Sequence, residues 1–233
     1  MVEPLPMVLV PGLNCSPRLY AAQIPVLWRF GPVTVADHTR DDTMAGIARR
    51  LLRDAPPRFA LVGLSMGGYV AFEVLRQAPD RVAKVALLDT GPRADRPEQT
   101  ERRDAQIALA RSGRFDAVTE ALWPLLVHRD RQSDRELKAV VRLMADETGP
   151  EAFIRQQTAI KGRPDSRPAL GAIRCPTLVL VGEGDTLTPP DLAKEMAEGI
   201  AGAKLVIVPD SGHLSTLERP DVVNRALVAW MEE

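Results

Sequence analysis

Six short apolar runs punctuate the chain: Met7-Val8-Leu9-Val10, Val33-Thr34-Val35-Ala36, Phe59 to Val62, Lys84-Val85-Ala86-Leu87-Leu88, Thr177 to Val181 and Lys204 to Val208. Several carry no polar alternation, the pattern of strands covered on both faces. Between most of them stand stretches with helical spacing: Arg18 to Trp28, Thr43 to Asp54, Met66 to Ala78, Asp191 to Ile200 and Pro220 to Met231. Strand and helix alternate, so the pattern predicts an α/β fold with a mainly parallel, doubly wound sheet of six strands.

The alternation fails once. Between Asp89 and Cys175 the residues from Arg93 to Pro168 show helical patterns and no strand. Ser133-Asp134-Arg135-Glu136 reads as a capping box that opens one of these helices, Gly149-Pro150 separates it from the next, and Gly113 and Gly162 read as helix stops. The expected organisation is one core domain, 1–92 and 169–233, with a helical lid, 93–168, inserted after the fourth strand. The lid segment holds 15 basic and 13 acidic residues. Mixed charge on helices is usually a solvated face; an arginine among them is also a candidate to hold a substrate carboxylate.

Composition narrows the partners. At 233 residues the chain can bury a substantial single core. Thirty basic against thirty-one acidic residues, without long like-charge runs, favour neither nucleic acid nor an anionic membrane. The N-terminal Met1-Val2-Glu3-Pro4-Leu5-Pro6 has no basic leader region, and no apolar run approaches the roughly 20 residues needed to span a bilayer. Cys15 and Cys175 have no metal-ligand spacing and read as free thiols in a reducing compartment. A cytoplasmic protein acting on a small molecule is expected, as a monomer or homodimer.

The chemistry is concentrated in Gly63-Leu64-Ser65-Met66-Gly67-Gly68, where an apolar strand gives way to a helix. So sharp a reversal forces the apical residue toward positive φ and presses the flanking segments together, where only glycine fits. This is the G-x-S-x-G nucleophile elbow, in which the serine hydroxyl stands free above the sheet at a helix N-terminus; the bland alternative is a glycine-rich βα turn. Functional groups of such sheets gather beyond the carboxyl ends of the strands. There the chain supplies Gly12-Leu13-Asn14, Asp37-His38, Ser65, Asp89, Asp185 and His213, in that order. A serine hydroxyl needs a base to take its proton. His213, in the turn-rich Pro209-Asp210-Ser211-Gly212-His213, is the candidate base. Asp185 is the candidate carboxylate to orient it, with Asp89 the rival and Glu183 a weaker one. The backbone amides of Leu13 and Met66 are the candidate oxyanion donors. Asn14, Tyr69, Trp123, Phe153 and Leu214 are candidates for the substrate pocket, and Leu125, Leu126 and Ile154 for the lid's inner face. Cys15 borders the site and is not the expected nucleophile; His38 and His128 fall outside the expected base position.

Together these residues resemble the α/β-hydrolase superfamily, and within it the small lidded group of 3-oxoadipate enol-lactone hydrolases and carboxylesterases. The match spans nearly the whole chain. It rests on Val62 to Gly68 for the nucleophile, Val181-Gly182-Glu183-Gly184-Asp185-Thr186-Leu187-Thr188-Pro189-Pro190 for the acid and Ser211 to Pro220 for the histidine. The resemblance implies the α/β-hydrolase fold with strand order 2-1-3-4-5-6, no leading antiparallel hairpin, and no metal or cofactor. The implied activity is a serine hydrolase for a small carboxylic ester or lactone. Carbon–carbon bond hydrolysis, elimination and perhydrolysis could use the same three residues, and a non-catalytic ligand receptor of the same fold is the reading from another class. Ser65 in place of an aspartate argues against dehalogenase and epoxide-hydrolase chemistry. Two departures stand out. Pro11-Gly12 replaces the usual His-Gly at the oxyanion turn, and Asp37-His38-Thr39-Arg40 replaces an Arg-Gly-x-Gly turn after the second strand.

Overall fold

Alternate residues of the first strand pack into different cores. In a computed structural model that describes residues 4–233, β1 (Met7–Val10) points Val8 and Val10 into one apolar cluster and Met7 and Leu9 into another on the opposite face. The same two-sided burial holds along β3 (Phe59–Leu64) and β5 (Thr177–Gly182), every residue of which is buried. β4 (Val82–Leu88) carries half-buried Lys84 as its third residue, whose ammonium donates at 2.9 and 3.2 Å to the carbonyls of Trp230 and Met231. A lysine thus reaches from a buried strand to the open carbonyl end of a helix. β2 (Val33–Val35) and β6 (Lys204–Val208) are the edges, and Leu205 and Ile207 of β6 are exposed. Met1, Val2 and Glu3, part of the N-terminal leader reading, lie outside the described residues.

The strands run β2-β1-β3-β4-β5-β6, the order that the resemblance implies, and all pairs are parallel. Winding reverses between β1 and β3, which opens a crevice at their carboxyl ends. The helices are α1 (Ile24–Leu27), α2 (Met44–Asp54), α3 (Met66–Gln77), α4 (Pro97–Arg111), α5 (Phe115–Leu126), α6 (Arg135–Lys161), α7 (Pro190–Gly199), α8 (Ser215–Glu218) and α9 (Pro220–Glu232). Four apolar side chains of α2 and five of α3 join Val8, Leu61 and Val85 in one core; Leu227 and Trp230 of α9 join Met7, Val62 and Leu178 in the other. α4, α5 and α6 lie in sequence between β4 and β5. Among the described residues no helix is long and apolar enough to cross a membrane.

Two local expectations are corrected. The helix expected over Arg18 to Trp28 is instead a 3-10 turn at Pro17–Tyr20, the one-turn α1, and a second 3-10 turn at Trp28–Phe30. Pro17 and Pro25 lack N–H donors and restrict the residues before them, so a continuous helix cannot form. The cap of α6 is Asp134 rather than Ser133: its carboxylate accepts the Leu137 N–H at 2.9 Å. Gly149, with φ 75°, interrupts α6 just before Pro150 and splits it into two arms.

At the β3–α3 junction the backbone is too close for side chains. A Cβ on Gly67 would run into the Val10 carbonyl of β1, and one on Gly63 into the Gly67 carbonyl. Gly67→Ala is therefore expected to destabilise the protein by about 2–4 kcal/mol, read as a lower urea midpoint; an unchanged midpoint would contradict this packing.

Candidate active site

Ser65 sits at φ 55°, ψ −114°, a conformation that costs a side-chain-bearing residue energy and persists only when its surroundings enforce it. Here they do. The Ser65 N–H donates to the Leu88 carbonyl at 2.9 Å, and the Ser65 carbonyl accepts from the Gly68 N–H at 2.9 Å and from the Thr90 hydroxyl at 2.8 Å. Thr90, one residue past the rival acid, carries no sequence signal for this role.

Ser65 Oγ lies 2.8 Å from His213 Nε2, and His213 Nδ1 lies 2.8 Å from Asp185 Oδ2. His213 and Asp185 are almost fully buried. The Asp185 carboxylate is itself saturated: Oδ1 accepts the N–H groups of Leu187 and Thr188 at 2.8 and 3.0 Å, and Oδ2 accepts the Thr188 hydroxyl at 2.7 Å. With Nδ1–H donating to an ionised carboxylate, Nε2 is left as the acceptor facing the serine hydroxyl. Burial pushes the imidazole toward its neutral form, but the Asp185 carboxylate outweighs it and raises the His213 pKa above 6.5. Burial likewise works against the Asp185 charge, and the facing imidazole with the Thr188 donors overcomes it, holding that pKa below 3.8.

Asp89, also fully buried, makes no hydrogen bond to His213. Its two oxygens accept from the Gly182 N–H at 2.9 Å and the Ser215 hydroxyl at 2.5 Å. Burial, then the nearby Asp185 charge, pushes its pKa up to about 8. Of the two carboxyl groups, Asp185 is held toward its charged form and Asp89 toward its protonated one. A third buried acid, Glu218, accepts the N–H of Gly212, directly before His213, at 2.8 Å and that of His128 at 2.7 Å. The histidine loop is thus tied to the core through Asp89 and to the segment after α5 through Glu218. Beyond its place in the histidine segment, no sequence signal marks Glu218 for this role.

The Pro11-Gly12-Leu13-Asn14 turn is held from two distant points. His38 Nε2 lies 3.0 Å from the Gly12 carbonyl, and the Asn14 N–H donates to Gln156 Oε1 at 3.0 Å. Burial lowers the His38 pKa, so its ring is neutral and its Nε2–H donates. His38 and Gln156 therefore orient a turn that lacks the usual histidine. Among the described residues, neither the Leu13 nor the Met66 N–H is engaged by another group.

A cavity of about 110 Å³ opens beside Ser65 and His213. Asn14, Tyr69 and Leu214 line it, as do Leu125 and Leu126. Trp123 and Phe153 do not: the Trp123 indole donates to the Gln132 carbonyl at 2.9 Å inside a core cluster, and Phe153 packs against Phe115, 5.3 Å between ring centroids. Ile154 packs beside Phe153. Cys15 lines the cavity, but burial pushes its thiol up to about 12, far from a reactive thiolate. No cluster of three or more His, Cys, Asp or Glu among the described residues is placed to hold a metal.

Residues 7–226 match the family described as "Alpha/beta hydrolase family". The fold is similar to a thermophilic esterase of Thermogutta terrifontis, with TM-score 0.90 and 32% identity over 98% of this chain and 89% of that one. It is also similar to an enol-lactonase of Burkholderia xenovorans, with TM-score 0.89 and 26% identity over 99% of this chain and 92% of that one. In sequence it is 28% identical over 174 residues to a pimeloyl-acyl-carrier-protein methyl ester esterase of Nitrosomonas europaea, covering 71% of this chain and 68% of that protein.

The geometry separates the two rival acids. Asp185→Asn should lower kcat on the order of 10³- to 10⁴-fold, whereas Asp89→Asn, which touches neither imidazole nitrogen, should cost less than about tenfold. The residual activity of Asp185→Asn should have its acidic limb at lower pH than the parent, because the group that raises the His213 pKa is gone and burial pulls it down. Equal losses in both variants, or an unmoved limb, would refute the assignment.

Proposed function

The chain is a hydrolase of the alpha/beta hydrolase family, and from that premise we propose that it cleaves a small carboxylic ester or lactone through an acyl-enzyme on Ser65. The observation that carries this reading is the unbroken line from Ser65 Oγ through His213 to Asp185, two contacts of 2.8 Å each. The esterases and the enol-lactonase among its relatives point the same way.

In this scheme His213 Nε2 takes the proton of Ser65 as Oγ attacks the substrate carbonyl, and Asp185 stabilises the imidazolium that forms. The amides of Leu13 and Met66 receive the negative charge on the carbonyl oxygen, and losing one such donor typically costs about 3–4 kcal/mol in the barrier. His213 then gives its proton to the leaving oxygen. A water molecule, deprotonated by His213, attacks the acyl-enzyme and releases the acid, returning Ser65 to its starting state. With a lactone, leaving group and acid depart as one hydroxy acid. α4, α5 and α6 serve as a lid that shapes the pocket. A cavity of about 110 Å³ is smaller than the roughly 300–1,000 Å³ of sites that bury drug-sized ligands, which favours a small substrate.

Turnover of p-nitrophenyl acetate and butyrate by the parent protein, with Ser65→Ala reduced to background and still folded by circular dichroism, is the expected outcome. Substantial activity in Ser65→Ala would sink the proposal. Because attack needs neutral His213 and its pKa is raised, kcat/KM should fall on the acid side with a midpoint above pH 6.5; a midpoint below 6.5 would show that Asp185 does not govern this imidazole.

A further inference from the structure

α4 turns a polar face toward the cavity. Gln99, Arg102, Arg103 and Gln106 follow the i, i+3, i+4, i+7 spacing of one helix face, and all four line the cavity wall. Apolar side chains line much of the remaining wall, among them Leu122, Leu125, Leu126 and Leu214. A helix that must only cover an apolar pocket would present leucines there instead. No acidic side chain lines the cavity, so its two arginines set the sign of the field inside it.

The two arginines are held differently. Arg103 is fixed in place: its guanidinium pairs with Asp95 at 2.7 Å and donates to Gln157 Oε1 at 2.8 Å, while Gln157 Nε2 donates to Gln106 Oε1 at 2.6 Å. Asp95 is shared with Arg163 at 2.6 Å, so one carboxylate faces two guanidinium groups. Arg163 in turn stacks on Tyr69, 4.3 Å from the ring centre, on the cavity wall. Arg102 has no ion-pair or hydrogen-bond partner among the described residues, although Glu98 and Glu101 stand on the same helix off the cavity wall. The wall therefore carries excess positive charge over apolar surroundings, with one guanidinium free to take a ligand.

We infer that the natural substrate carries a carboxylate remote from the carbonyl that Ser65 attacks, bound by Arg102 with Arg103 beside it as a pre-positioned second donor. This rests on the hydrolase reading of Ser65. Arg102 grips the anion, whereas Asp95, Gln157 and Arg163 act only by positioning Arg103. Guanidinium and carboxylate match as paired, charge-assisted donors and acceptors. The polar wall also explains why the pocket is not lined by apolar residues throughout.

The test compares monomethyl glutarate, an anion at neutral pH, with methyl hexanoate, a neutral ester of similar length. The parent protein should favour the anion in kcat/KM by about tenfold or more. Arg102→Gln should collapse that ratio, Arg102→Lys should restore part of it, and added salt should shrink it. A parent ratio of one or less, or a ratio that survives Arg102→Gln, overturns the inference. Calorimetric titration of Ser65→Ala with the same two esters reads the preference without turnover: tighter binding of the anion supports the subsite, and equal binding overturns it. If the parent cleaves neither ester, the failure counts against the small-ester reading of Ser65, while the titration still decides the subsite on its own.

Discussion

The Val10 carbonyl and the Gly67 backbone approach each other so closely that no side chain fits between them, and the site depends on that contact. It fixes the amino end of α3 against the carboxyl end of β1, so that the oxyanion turn and the serine elbow meet at one place. The strain at Ser65 is the cost of that meeting. Three hydrogen bonds from β4, Thr90 and the first turn of α3 hold it there. A side chain at Gly63 or Gly67 would force this junction apart, while Leu88 and Thr90 hold Ser65 on one side and Asp89, between them, holds the His213 loop through Ser215 on the other.

His213 stands on a loop with little regular structure of its own, and its precision comes from buried acids. Asp185 reaches it directly and is locked by Thr188; Asp89 holds Ser215 on its far side; Glu218 holds Gly212 just before it. Because Glu218 also accepts the His128 amide, the His213 loop and the segment after α5 share one anchor and are parts of one hydrogen-bonded unit.

Much of this was legible in the sequence, for a physical reason. Strands buried on both faces write themselves as unbroken apolar runs, and a reversal as sharp as the one at Ser65 can be made only with glycines at fixed offsets. Ser65, Asp185 and His213 stood at strand ends, where the fold gathers its chemistry, and their side chains meet in the structure. What stayed hidden depends on partners far away in the chain. Nothing near Asn14 announces Gln156, 142 residues on, and nothing near Gly12 announces that His38 supports it. Thr188 left a faint trace, since an aspartate followed by amide donors two and three residues later is an Asx-type turn. Trp123 and Phe153 misled because apolar bulk on a helix says that a side chain is buried, but not against which neighbour. The face of α4 toward the cavity was half legible: a lid arginine stood as a candidate for a substrate carboxylate, but mixed charge on a helix reads first as a solvated surface and does not say which arginine turns inward.

Asp89 ties folding to pH. In the unfolded chain a carboxyl group of ordinary pKa gives up its proton near pH 4, whereas in the folded protein burial and the nearby Asp185 charge push the Asp89 pKa up to about 8. The stability it contributes is complete below the first value and drains away as pH climbs to the second. That same climb takes the proton from the His213 imidazole, whose pKa is raised by Asp185, and leaves Nε2 as an acceptor facing Ser65 Oγ. Rising pH therefore draws protons from His213 and Asp89 alike, so the change that leaves Nε2 free to accept from Ser65 also loosens the fold through an acid that contacts neither imidazole nitrogen.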